Sequence, residues 1–445
     1  MTIPHLKRSR IIKTLTDRAD SIDHEKAENV FASVRLAVIV TPDAARTAAG
    51  QAAILTAVAT GMKCFERVAL IGDVHIQLKY QMPLGEMIDG VAKTLGAQIF
   101  TKIPDDATHV IIIGNASTTT VFTVRCWWDR WAGGTLPQWD DKLIGESTNP
   151  LAGSLAGAIA IREVFANVLG DQRAGKRAAI SSLWEPWKEV VAADKGPSSF
   201  YLPNKLWIIG LGHLGQGVLW NLGLLPVHGE TVILQDDQLA GVENEATGLL
   251  TSPSLIGHRK TRIAAEWLEA KGWDTTLVER RHYGDMKICT GDPAIVITGL
   301  DEPQSRLDIA RNGYDYVIDA GVGHGPKDFE SLQIRILRKC DDASRFWAHP
   351  PETKRIDDIL KLDAYKRLAE KHDPCGTFTL AQASIAVPFV GAAVGTYVIT
   401  QAIRLASMQD TVRMMQMELA SPEMVTAGDF ISGAEANVGG ILVHL

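Results

Sequence analysis

The sequence predicts an α/β protein built from two Rossmann-like, doubly wound parallel-sheet domains in tandem, the first of them degenerate. Three observations carry that expectation. An apolar run, "KLWIIG", stops at a G-x-G-x-x-G turn and becomes an apolar helix. Strands and helices then alternate through the second half of the chain. The first half repeats the same order more faintly, as a duplicated unit would. At 445 residues the chain is also too long for one ordinary core.

In the second half, "KLWIIG" reads as a strand and Leu214–Leu225 as a helix. "TVILQDD" is the next strand, and "SLIGHRKTRIAAEWLEAKG" runs into a helix. "DTTLVERRH", "AIVITGLD" and "YVIDAGVG" are further strands. In the first half, "RLAVIV" (Arg35–Val40) precedes an Ala-rich helix, then "RVALIGD" (Arg67–Asp73) and "THVIIIGN" (Thr108–Asn115). Two late apolar helices, within Asn149–Gly170 and Ile385–Ala406, also correspond. The copies differ where a ligand would sit. Against the three glycines of the second copy the first has "TPDAA" (Thr41–Ala45), and against Asp301 it has neutral Asn115. Pro42 has no N–H to donate, and side chains keep the backbone from a phosphate. The first copy is therefore expected to keep the fold and to have lost the nucleotide chemistry. Turn formers and charge in Trp184–Asn204 place the boundary there, giving domains 1–190 and 191–445.

A net charge of −7 without a basic block argues against nucleic acid and anionic membranes as partners. The N-terminal segment carries charges throughout and does not read as a signal peptide. The most apolar stretch, Ile385–Leu405, contains Pro388, Gln401 and Arg404 and is expected to be a buried helix. The five cysteines are odd in number, scattered and free of C-x-x-C, which argues against a disulfide framework and a four-cysteine zinc site. A reducing cytoplasmic location is the expectation.

Each motif glycine has a physical task. Gly210 permits the tight turn, Gly212 lets backbone amides approach phosphate oxygens, and Gly215 lets helix and strand pack closely. NAD, FAD and ATP all carry such phosphates, so the turn alone leaves a dinucleotide oxidoreductase and an ATP enzyme both open. Asp236 or Asp237 at the end of the second strand would serve a ribose in either. The residues beyond them divide the two. Lys260 lies 24 residues past Asp236 and opens a helix, where it could stabilise charge on a departing pyrophosphate. The Asn244 amide, between them, could bind ribose or phosphate. Asp301 ends a strand, where its carboxylate could hold Mg²⁺ beside an α-phosphate. Arg306 follows on the next helix. An NAD-dependent oxidoreductase would use the same glycines and Asp236 and leave Lys260 without a purpose.

Gly210, Gly212, Gly215, Asp236, Asn244, Lys260, Asp301 and Arg306 follow one another in the order and with the gaps seen in E1-like adenylating enzymes. The chain thus resembles the ThiF/MoeB-type activating enzymes of ubiquitin-like proteins, well over Lys205–Val322 and more weakly elsewhere. The resemblance implies adenylation-type domains, with ATP and Mg²⁺ as cofactors. The partners it implies are a ubiquitin-like protein, activated at its C-terminal glycine carboxylate, and an E2-like conjugating enzyme. One position departs: the family's arginine shortly after the asparagine falls by spacing on Thr247. The family also takes an arginine from a partner's N-terminal segment. "LKRSRIIK" (Leu6–Lys13) is similar to that segment and puts Arg10 at the matching place, so the degenerate half would complete the active half in cis, a pseudo-dimer within one chain.

Ubiquitin-type members transfer the acyl group to a cysteine. Cys375, in "HDPCGTFTLAQ", resembles the family's cysteine motif, with Pro374 and Gly376 suggesting an exposed turn ahead of the apolar helix. The cysteine-bearing segment is expected at about 330–384. Cys289 and Cys340 are the alternatives, while Cys64 and Cys126 are expected to be packing residues. His213, inside the glycine turn, is read as a surface residue, and the tryptophans of "RCWWDRWAGG" as core. Tandem domains resemble a ubiquitin-type E1, specifically one from a bacterial (antiphage) conjugation operon, more than the sulfur-carrier enzymes, which stop at the adenylate.

Overall fold

A computed structural model describes residues 8–117, 121–347, 356–371, 374–433 and 438–445, of which Asp357, Lys371, Pro374–Gly376 and Thr379 are described by backbone alone. Two large sheets organise them. The first is ordered Gln98–Phe100, Arg67–Ile71, Arg35–Val40, His109–Ile113, Phe122–Asp129, Ala132–Pro137, Ala179–Ser182. The second is ordered Asp274–Val278, Thr231–Gln235, Lys205–Ile209, Ile295–Thr298, Tyr316–Val322, Ser331–Arg338, Met414–Glu418, Ser421–Ala427. In each, the first five strands are parallel and those after them antiparallel. The sheets are therefore mixed rather than wholly parallel as expected. Over seven positions their strand orders coincide, as the faint internal similarity of the sequence predicts. The central strands are the nearly unbroken apolar runs that burial on both faces demands.

Helices bring the two sheets together. In the first half Ala48–Cys64 packs on Pro150–Val168, where β-carbons at Gly153 and Gly157 would collide with the carbonyls of Ala49 and Ala53. In the second, His213–Leu224 packs on Pro388–Ala406, with Gly217 against the Gly391 backbone. Pro388–Ala406 also packs on Pro150–Val168, so the four helices form one layer between the halves. Phe165 and Phe389 meet there at 5.3 Å, and Trp220 Nε1 donates to Thr56 Oγ1 at 3.0 Å. The two 19-residue helices are long and apolar enough to cross a membrane, but 89% and 94% of their apolar windows are buried inside the protein. Their apolarity is explained by their place in the core.

Trp127, Trp128 and Trp131 are buried, as expected, and most of "RCWWDRWAGG" forms a strand pair the sequence reading left unassigned. Cys64 and Cys126 are buried, and burial raises both thiol pKa values. Segment 330–384 opens with Ser331–Arg338, a core strand, before the helices Ile356–Leu360, Asp363–Lys371 and Pro374–Gln382.

Candidate functional site

A cleft of about 290 Å³ lies at the carboxyl ends of the parallel strands of the second sheet. This is where open α/β sheets bind ligands. Gly210, Gly212, Asp236, Asn244, Lys260, Asp301 and Arg10 all line it. Residues spread over nearly 300 positions of sequence are thus brought to one wall-and-floor arrangement.

The three glycines differ in what confines them. Gly210 has φ +87°, a conformation side chains disfavour. A β-carbon at Gly215 would collide with the Gly210 carbonyl, so this glycine seats the helix on the turn. A β-carbon at Gly212 would meet nothing within 4 Å, so the backbone there faces open space. The helix His213–Leu224 begins at this point with no side-chain cap. Its first amides and positive dipole end are left for an anion.

Asp236 is committed in part to the loop itself: its Oδ2 accepts from Leu211 N and its Oδ1 from Gln238 N, both at 2.8 Å. Asn244 Oδ1 accepts from Gly241 N at 2.9 Å, fixing the side chain at the start of Val242–Thr247. Lys260 is 6% exposed, and its Nζ donates to the neutral Gln238 Oε1 at 2.7 Å. Among the described residues it has no carboxylate partner within ion-pair distance. A buried ammonium without a counter-ion is costly unless an anion visits it. Arg10, on the N-terminal helix Ser9–Thr16, donates from Nε to Ser384 O at 2.7 Å. Burial lowers its pKa, against the pull of Asp301 and Glu243.

Asp301 is exposed at the rim. No group of three or more His, Cys, Asp or Glu that could hold a metal occurs among the described residues. One carboxylate suits Mg²⁺ only when phosphate oxygens and waters complete its shell, which is the habit of that ion. The donor set fits a nucleotide-borne Mg²⁺ and not a protein-caged one.

Arg306 also lines the cleft, with its guanidinium engaged by the protein: its Nε donates to Leu300 O at 2.6 Å and its Nη1 to Asp319 Oδ2 at 3.3 Å. Thr247 is fully buried, donates to Glu243 O at 2.9 Å and does not line the cleft. His213 corrects the sequence reading. It is no free surface residue: its ring Nε2 lies 2.8 Å from Val387 O, and burial pushes its pKa down to about 4. Its position is fixed because Val387 immediately precedes the long helix packed on its own. Arg281, His324 and Ser384 also line the cleft and had no signal in sequence, since nothing in a motif ties them to the glycine turn.

Cys375 falls at the second residue of the helix Pro374–Gln382 rather than in a turn. Proline suits a first helical position, where its missing N–H removes no bond. The side chain of Cys375 lies outside the described residues. Cys289 and Cys340 are both free and exposed.

Residues 35–183 match a family model described as the BilD N-terminal domain, and residues 202–409 one described as the BilD C-terminal domain. The bacterial E1-like protein BilD of Collimonas sp. (strain OK412) is 30% identical over 409 residues, 88% of this chain and 87% of that one. The chain belongs to the BilD family of bacterial E1-like proteins. The BilD C-terminal domain match contains the glycine turn, Asp236, Asn244, Lys260, Asp301 and Cys375. Arg10 precedes the BilD N-terminal domain match, yet reaches the same cleft.

Proposed function

We propose that this BilD-family protein is an activating enzyme that adenylates the C-terminal carboxylate of a ubiquitin-like protein with ATP and then carries the acyl group as a thioester on Cys375 for an E2-like enzyme. The observation that carries the reading is the buried, uncompensated Lys260 in the cleft that also holds the uncapped helix at Gly212 and Arg10 from the far end of the chain. Three positive elements around one cavity suit a polyphosphate.

In the first step a carboxylate oxygen attacks the α-phosphorus, the bond to the bridging oxygen breaks, and pyrophosphate leaves with the electron pair. The amides after Gly210, Lys260 and Arg10 would meet the charge that moves onto the leaving group. Asn244 and Asp236 orient the nucleoside end. Asp301, together with phosphate oxygens, would hold Mg²⁺, which would supply charge neutralisation at the phosphates. In the second step the Cys375 thiolate attacks the acyl carbon and AMP leaves with its bonding electrons. In this reading the first half (1–190) is the degenerate copy, which is supported by Asn115, the counterpart of Asp301, whose Oδ1 accepts from Arg125 and Ile144 of its own half. Its task is to lend Arg10 to the active half (191–445), in the cytoplasm.

The test compares melting temperatures of wild type and Lys260→Ala with ATP·Mg²⁺ and with NAD. A ligand that binds only the folded state at 100 times its Kd adds about 2.7 kcal/mol. Stabilisation by ATP·Mg²⁺ that fades in Lys260→Ala is the expected result. Stabilisation by NAD alone overturns the reading in favour of an oxidoreductase.

A further inference from the structure

Lys63 lies in the last turn of the first-half helix Ala48–Cys64, the counterpart of the helix that follows the glycine turn in the second half. Its ammonium crosses between the halves, donating to Glu245 O at 2.6 Å and to Thr251 O at 2.9 Å. Glu245 is in the short helix Val242–Thr247, whose last carbonyls have no partner within the helix. A cation there is favoured by hydrogen bonding and by the helix dipole. That helix also carries Asn244 at the cleft. Thr251 leads to the opposite wall. The buried Gln216 Nε2 donates to Thr251 Oγ1 at 3.0 Å and to Leu211 O, inside the glycine turn, at 3.3 Å. Gln216 Oε1 accepts from Leu250 N at 2.9 Å. One ammonium from the first half thus holds the carbonyls from which both walls of the cleft are hung.

We propose that Lys63 is a positioning residue for the nucleotide cleft: it fixes Asn244 and the glycine turn relative to one another, so the degenerate half sets the affinity of the other half for its nucleotide. The inference rests on the reading of this cleft as an ATP site. It is distinct from the role of Arg10, because Lys63 does not line the cleft.

The test is calorimetric titration of the full chain with ATP·Mg²⁺. Lys63→Met is expected to bind about tenfold more weakly than wild type, the effect of losing a charged hydrogen bond. Lys63→Arg, which keeps the charge and donors, is expected to restore most of the affinity. Lys63→Gln provides the same readout should Lys63→Met not fold. The control is Lys271→Met: Lys271 also crosses between the halves, to Gln81 O at 2.7 Å, without touching a cleft wall. Its affinity is expected to match wild type. Wild-type affinity in Lys63→Met and Lys63→Gln, or equal weakening in Lys271→Met, overturns the inference alone. No ATP binding by the wild type overturns it together with the reading of the cleft.

Discussion

Arg162 and Glu330 are joined across the two halves by parallel hydrogen bonds, Nε to Oε1 and Nη2 to Oε2, each 2.9 Å long. Arg162 lies in the middle layer on Pro150–Val168, and Glu330 immediately precedes the strand Ser331–Arg338. Both side chains are largely buried, and Glu163 Oε1 takes a third guanidinium bond at 2.8 Å. The planar fork matched to a carboxylate fixes orientation as well as distance. Glu330→Ala strands a buried guanidinium with a smaller complement of acceptors. The expected loss is about 3 kcal/mol, read as a lower urea midpoint. Replacing Arg162, Glu163 and Glu330 together by methionine is expected to recover part of that loss, because none of the three then leaves a buried charge behind. An unchanged midpoint in Glu330→Ala means the pair adds nothing to the association of the halves.

The glycine turn allows two substitutions to be set against each other. Gly212→Ala adds a methyl group into open space at an ordinary φ of −82°, so the fold is expected to keep its melting temperature. The same methyl stands where a phosphate oxygen must approach the amides, so stabilisation by ATP·Mg²⁺ is expected to vanish. Gly215→Ala drives a methyl group into the Gly210 carbonyl and is expected to lower the melting temperature without any ligand. Retained ATP stabilisation in Gly212→Ala places the phosphates elsewhere.

The fold was largely legible in the sequence because parallel strands and buried helices are written in long apolar runs. "KLWIIG", "TVILQDD" and "AIVITGLD" became neighbouring strands around the turn. The antiparallel strands were harder. Ser331–Arg338 and Met414–Glu418 alternate polar and apolar residues over short spans, and the reading took the first of them into the cysteine-bearing segment at about 330–384. At the site, the residues bound to the backbone pattern of the glycine turn were found, while Arg281, His324 and Ser384 reach it only through tertiary folding. His213 was misread because its burial depends on Val387, 174 residues away. Lys63 carried no signal because its contacts with Glu245 O and Thr251 O are to backbone carbonyls, which no side-chain motif encodes.

Acid is expected to destabilise the N-terminal segment. His24 lies edge-on to Tyr365 at a centroid distance of 5.0 Å, and burial pushes its pKa down to about 4, against the pull of Asp17 and with the push of Lys13. The unfolded chain takes up this proton near pH 6.5, while the folded chain resists it until about pH 4. Between those values the unfolded state binds more protons, so stability falls as pH falls. The full effect, about 3 kcal/mol, is reached below pH 4. In His24→Leu the melting temperature is expected to depend less steeply on pH between 6.5 and 4. A parallel pH profile in wild type and variant assigns the acid sensitivity to other groups.

The cysteine assignment has its own decisive comparison. The helix that carries Cys375 is held at its far end by the N-terminal helix: Lys13 Nζ donates to Leu380 O at 2.9 Å and to Tyr365 Oη at 2.7 Å. Arg10, one turn earlier on that N-terminal helix, donates to Ser384 O at the cleft. Cys375 is therefore tied by sequence to a point anchored beside the proposed adenylation site, whereas Cys289 follows the far edge of the second sheet and Cys340 closes its strand Ser331–Arg338. With ATP, Mg²⁺ and the ubiquitin-like protein, wild type, Cys289→Ser and Cys340→Ser are expected to give an adduct that survives non-reducing electrophoresis and is cleaved by thiols. Cys375→Ser is expected to lose that adduct while retaining ATP–pyrophosphate exchange, because the nucleotide cleft is intact. An adduct lost only in Cys289→Ser or Cys340→Ser moves the nucleophile to that residue. Exchange in the wild type with no thiol-sensitive adduct at all means that the reaction ends at the adenylate, since the exchange requires only the first step and the adduct requires the second.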